Sequence, residues 1–169
     1  MPISDDIKEH YPDDWESIRE HVLERAAERE ETEHGYSMPE PALPGGLLPC
    51  AGKPKCEWCG APNGSDIWRR HGRWALANDD PDFIEWYDEE TGSQCEGEVP
   101  LMHYDRDDAT TVVLTIAHLD QDPRIADPDR LRALCQRCHL TYDNQPEQRA
   151  KRRRIYAELR GQMTLLEER

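Results

Sequence analysis

At 169 residues the chain suits one domain with flexible arms, and a hydrophobic share of 36% with a single Phe leaves a thin core that calls for support from a metal. No apolar run is long enough to cross a membrane, and the acidic start MPISDDIKEH is unsuited to a secretory signal; a membrane partner is excluded and a cytoplasmic setting is expected. The net charge of −15 is uneven: residues 1–49 hold 13 acids and 4 bases, residues 50–116 hold 14 and 6, and residues 117–169 hold 9 and 11. The acidic part is read either as a solvated surface suited to high salt, or as one that repels nucleic acid or imitates it in a partner's basic groove.

In chain order, Asp13 and Asp14 open a helix predicted over 13–33, with Trp15, Ile18, Val22 and Ala26 at helical spacing on the side that docks on the core. Its other face alternates Glu and Arg and needs only solvent. From His34 to Pro54 the density of Pro and Gly predicts a linker, with Cys50 in it as a free thiol rather than a spare ligand. Cys56-Glu57-Trp58-Cys59-Gly60 has the form of a metal knuckle, two thiolates on a tight turn with Gly60 permitting the reversal.

Residues 67–77 predict a hairpin turning at His71-Gly72, with Trp68 and Trp74 on one side. Residues 79–98 are acidic and weakly patterned around Phe83, Ile84, Trp86 and Tyr87, and Cys95 among them has no assigned role. Strands are predicted over Val99–Tyr104 and Thr111–Leu119, joined by a turn at 105–108. After a loop rich in Asp and Pro, Pro128-Asp129 opens a predicted helix that runs to 143 and carries Cys135-x-x-Cys138-His139. A last helix, 146–161, bears Arg149, Lys151, Arg152, Arg153 and Arg154, a basic surface suited to nucleic-acid phosphates or to plain solvent. The organisation expected is an arm over 1–33, a linker over 34–55, a metal-braced domain over 56–145 and a basic helix over 146–169.

Two CxxC pairs can close the four corners of a tetrahedral zinc ion, and with every corner filled by thiolate no water is bound, so this zinc is structural. The 75 residues between Cys59 and Cys135 leave room for a hairpin between the knuckles. His118 ends a strand and His139 follows the second knuckle. One imidazole can act as general base on water while the other ligates a divalent ion. Asp143 lies one helical turn beyond His139, and Asp120 is a further oxygen donor.

The run AHLDQDPRIADPDRLRALCQRCHLTYD resembles the HNH endonucleases, the ββα-metal nucleases, in their bacterial and phage-type forms. CEWCG is similar to the extra zinc knuckle these proteins place before the motif, and YPDDWESIREHVLERA to their leading helix. The resemblance covers 11–29, 56–60 and 111–143. It implies an α+β fold with a ββα core and a four-cysteine zinc site, flanked by an N-terminal amphipathic helix and a basic C-terminal helix. It implies a DNA endonuclease of a bacterial or phage-infected cell, with His118 as general base, His139 as ligand to a catalytic Mg²⁺, Mn²⁺ or Ni²⁺, and Cys56, Cys59, Cys135 and Cys138 on zinc.

The chain departs from the family pattern twice. Ala117 stands where a metal ligand precedes the base, which leaves the ion to His139 with Asp120, Asp143 or water. Arg130 stands where asparagine holds the loop that aims the base; arginine has donors only, and its place in the catalytic set is a grip on phosphate. Two functions follow: a metal-dependent DNA endonuclease, or a non-catalytic zinc module that binds DNA or occupies a protein's basic nucleic-acid groove as an inhibitor.

Overall fold

A computed structural model describes residues 5–28, 53–77, 84–95 and 108–161. Among these, α1 (Asp5–Lys8) and α2 (Trp15–Glu28) precede four strands, β1 (Asp66–Arg70), β2 (Arg73–Leu76), β3 (Trp86–Asp88) and β4 (Thr110–Thr111). These form one antiparallel sheet in the order β3-β2-β1-β4. A second sheet pairs β5 (Leu114–His118) with β6 (Leu131–Cys135), and α3 (Gln136–Asp143) and α4 (Pro146–Leu159) follow. The fold is mixed α+β.

The hairpin turns at His71-Gly72, where φ is 50° and 75°. Two successive left-handed residues match the twist of the flanking strands, and glycine takes that conformation without cost. The expectation that Trp68 and Trp74 share a side is corrected by the register. Trp68 pairs with Ala75 and Trp74 with Arg69, so period-two alternation sends the two indoles to opposite faces. Trp74 is fully buried in the main core, stacks on Tyr87 and donates its Nε1–H to the carbonyl of Cys59 at 2.7 Å. Trp68 packs with Ala75 and Trp86 in a second, smaller cluster, against which half-buried Cys95 rests.

The expected Thr111–Leu119 strand is broken. Thr110 and Thr111 pair with β1, whereas Leu114–His118 pair with β6, and the chain crosses between sheets at Val112-Val113. Val112 is buried there, exchanging backbone hydrogen bonds with Gly64 and Ser65, and Val113 is exposed. The larger correction is at 128–143. The predicted continuous helix is a 3-10 turn (Pro128–Arg130), then β6, then α3. All five residues of β6 are buried, so the alternation that marks a strand is absent, and Leu131 and Leu134 are spaced as they would be on a helix. Pairing with β5 decides the matter, because a buried strand must place its backbone groups in a ladder.

The main core joins Val22 and Ala26 of α2 to Ile67, Trp74, Val112, Leu114, Ala117, Leu131, Ala133 and Leu134, with the four knuckle cysteines among them. Trp15 and Ile18 pack against its edge, as the helical spacing predicts. Predicted features at Cys50, at Val99–Tyr104 and beyond Glu28 in the first helix lie outside the described residues. No helix among the described residues is long and apolar enough to cross a membrane.

Candidate metal centre and the adjoining histidine cluster

The first knuckle is shaped by local hydrogen bonds: Cys56 N–H donates to Ala61 and Gly60 N–H to Cys56, with Gly60 at φ 75°. Glu57 N–H donates to the carbonyl of Ala133, stitching the knuckle to β6. The second knuckle lies where β6 becomes α3, with Cys135 closing the strand and Cys138 in the first helical turn. The sulfurs of Cys56, Cys59, Cys135 and Cys138 all lie within 4.8 Å of one another, and all four residues are buried.

The Cys59–Cys135 sulfur separation is 3.8 Å. A disulfide needs about 2.05 Å, whereas a tetrahedron with zinc–sulfur bonds of about 2.3 Å has edges of about 3.8 Å. The four residues could therefore hold a metal ion, and zinc fits them. Four sulfurs this close cannot all carry charge without a cation. Hydrogen bonding to Cys138 holds the Cys135 thiol well below its usual range, and the same contact pushes Cys138 well above it. Two nitrogen donors reach the sulfurs, the backbone Cys135 N–H to Cys56 Sγ and Arg69 Nη2 to Cys135 Sγ, each at 3.3 Å.

A buried ion pair braces the same region. Arg25 of α2 donates to both oxygens of Glu57, at 3.1 and 3.0 Å, and to the carbonyls of Pro128 and Leu131 at 2.7 and 2.9 Å. Glu57 in turn accepts from Ala133 N–H. Sequence periodicity assigns Arg25 to a solvated face and gives Glu57 no partner; only the tertiary structure pairs them.

His118 ends β5 beside Leu131 and lies in an aromatic enclosure. Its ring is stacked on Trp15 at 5.1 Å and meets the edge of Tyr11 at 5.4 Å. Its Nε2 is buried without a hydrogen-bond partner among the described residues. Burial, reinforced by His139, lowers its pKa to about 4 against the pull of Asp122, Asp120 and Asp143. The imidazole is therefore neutral at pH 7. The backbone on either side of the following turn is pinned: Leu119 N–H donates to Arg130, and Gln121 N–H to His118.

His139 is on α3, with Nδ1 2.7 Å from Thr115 Oγ1 and Nε2 3.7 Å from Asp143 Oδ2. Burial lowers its pKa, and Asp143 opposes that. Two donors on one ion at about 2.1 Å stand roughly 3 to 3.5 Å apart, so this pair is close to chelating geometry. Arg152, however, already holds Asp143 Oδ2 at 2.7 Å, and Gln121 Nε2 holds Oδ1 at 2.9 Å. Asp120 is gripped by Arg130, with Nε at 2.7 Å, and by Lys151 at 3.0 Å, contacts that hold its carboxyl below the usual range. Among the described residues, the four cysteines are the one group of three or more potential ligands close enough to share an ion. His139 and Asp143 approach each other, and with Asp120 they form no second such group among the described residues; Ala117 is buried in the core.

The basic helix divides. Lys151 and Arg152 turn inward to Asp120 and Asp143. Arg149, Arg153 and Arg154 are exposed, with no ion pair among the described residues. Arg69, Arg25, Tyr11 and Thr115 carry no motif that marks them; each acquires its role from a partner far away in sequence.

No protein-family model matches the chain, and no match was found among curated proteins or among solved structures.

Proposed function

We propose that the chain is a zinc-braced DNA endonuclease of the HNH type. The observation that carries this reading is the β5–loop–β6–α3 unit. Its first strand ends in His118, its helix presents His139, and buried cysteines capable of holding zinc tie it to the upstream knuckle. In this reading neutral His118 takes the proton of the attacking water, the form a base requires. His139 and Asp143 would hold a divalent ion in place of the Arg152 contact, and such an ion would supply charge stabilisation at the phosphate. Arg130, half-exposed beside Asp120, is free on its outer side to meet a phosphate oxygen. Arg149, Arg153 and Arg154 provide the backbone contacts that orient a nucleic acid without reading its sequence. Incubation of the protein with supercoiled plasmid and Mg²⁺, Mn²⁺ or Ni²⁺ tests this. Nicking is expected with at least one ion and is lost in His118→Ala; no cleavage with any ion, or cleavage that survives the substitution, overturns it.

A second reading is favoured by the ion pairs themselves. Asp120 and Asp143 are already matched by Arg130, Lys151 and Arg152, and Ala117 cannot ligate. A zinc-braced module that binds without cutting accounts for these contacts, with DNA or a protein's basic nucleic-acid groove as partner; the charge of −15 favours the latter. Co-migration with DNA against co-migration with a basic nucleic-acid-binding protein separates the two partners. Nicking gained by Ala117→His with Arg130→Asn from an inert parent supports this reading.

A further inference from the structure

Arg69 is a charged residue on the inward face of β1. It shares that face with Ile67 and Trp74, and its side chain is only 15% exposed. Such a position is costly for a guanidinium unless every charge it meets is complementary. Two are. Its Nη1 donates to Glu89 at 2.8 Å, and its Nη2 donates to Cys135 Sγ at 3.3 Å. Glu89, itself 9% exposed, also receives Arg137 at 2.6 Å. Arg137 lies two residues past Cys135, so the bridge Arg69–Glu89–Arg137 starts and ends at the second knuckle. Arg69 and Arg137 also line a groove of about 470 Å³ with Ile67, Thr110, Gln136 and Leu140. Arg69 thus stands between that groove and a thiolate.

We propose that Arg69 is a positioning residue of the metal centre: it compensates the charge of the Cys135 thiolate and closes the route from the groove to the metal. This rests on the zinc reading above. Zinc held by four thiolates carries a net charge of about −2 in a buried setting, and donors from outside the ligand set then govern how tightly the ion is held. Glu89 fixes the guanidinium so that its second prong points at sulfur. Arg137 balances Glu89, which leaves the charge of Arg69 for the cluster.

The test uses the full chain loaded with zinc. Zinc stoichiometry is measured first. Zinc release to a chromophoric chelator is then followed below the melting temperature of each variant, with melting recorded in parallel. Arg69→Met keeps length and removes the donors; zinc retention is expected to fall on the order of tenfold or more, the usual effect of losing a donor to a metal ligand. Arg69→Lys restores the charge and is expected to recover part of the loss. Arg70→Met, whose pair with Asp108 is exposed, is expected to change nothing. Should Arg69→Met fail to fold, Glu89→Gln keeps the shape of the clamp, loosens Arg69, and is expected to give an intermediate release rate.

Retention by Arg69→Met within twofold of the parent overturns the proposal. So does a loss that follows the drop in melting temperature equally in Arg69→Met and Arg69→Lys, which assigns Arg69 a packing role. A parent chain that binds no zinc overturns the zinc reading and this proposal together. One bound zinc with an indifferent Arg69 overturns this proposal alone.

Discussion

The indole of Trp15 lies on the imidazole of His118, with ring centroids 5.1 Å apart and planes 16° from parallel. The helix that opens the chain's core thus covers the end of β5, and a proton on His118 is opposed by burial first and by His139 second. In the unfolded chain a histidine titrates near 6.5; in the native state this one titrates at about 4. Between those values the unfolded chain binds a proton that the native chain refuses. Stability is therefore fully present above about pH 6.5 and declines as pH falls toward 4. Histidine resonances followed by NMR are expected to show His118 unprotonated at pH 5.5. Trp15→Leu is expected to raise its pKa toward 6.5 and flatten that part of the stability profile. Titration of His118 near 6.5 in the parent would contradict the enclosure.

Zinc removal is expected to unfold the region around the knuckles. The core is thin, and the four cysteines are themselves part of it; ligand binding energy is then folding energy. Chelation, or Ser at any one of Cys56, Cys59, Cys135 and Cys138, is expected to abolish cooperative melting. Cys95→Ser, outside the cluster, is expected to leave melting within about 1 kcal/mol of the parent. Calorimetry with and without chelator reads both outcomes. A chain that melts unchanged after chelation would mean the sulfurs pack without an ion.

Glu57 is 2% exposed and its partner Arg25 is 23% exposed, so removing one charge strands the other. Arg25→Met is expected to cost about 3 kcal/mol, because a buried carboxylate loses its cation while two backbone carbonyls lose a donor. Glu57→Gln is expected to cost less, since the amide keeps its shape and can still accept from Ala133. Denaturant unfolding, scored by midpoint at constant slope, measures the difference. Equal and negligible effects would show that this knot is not a brace.

If the basic helix meets nucleic acid, its arginines are not equivalent. Reversing Arg149, Arg153 or Arg154 to Glu is expected to weaken DNA binding and to reduce the salt slope by about one for each phosphate no longer neutralised. Melting is expected to hold. Arg152→Ala is expected to act differently, by freeing Asp143 beside His139. Fluorescence anisotropy over a salt series, paired with thermal melts, separates the groups. Uniform behaviour across all four positions would argue against the inward and outward division.

Some of this was legible from the chain alone. Cysteine pairs mark a place that could hold a metal by chemistry and local spacing, and α2 and the His71-Gly72 turn are set by short-range pattern and backbone freedom. These features depend on residues within a few positions of one another. The same locality misleads at Leu131–Cys135, where burial on both faces erases the strand's alternation and leucine spacing imitates a helix; only the β5 ladder corrects it. The charged residues were least legible. Arg25 reads as solvated charge, Lys151 and Arg152 as a surface for phosphates or solvent, and Arg69 carries no signal, yet each turns inward to Glu57, Asp120, Asp143 or Cys135, partners 9 to 66 residues away. The sequence by itself marked the four cysteines that could hold a metal and the helical and turn signals. The tertiary structure decided which strand completes the unit, which histidine is enclosed and which cations turn inward, because an ion pair's value depends on burial and approach, and neither is written in neighbouring residues.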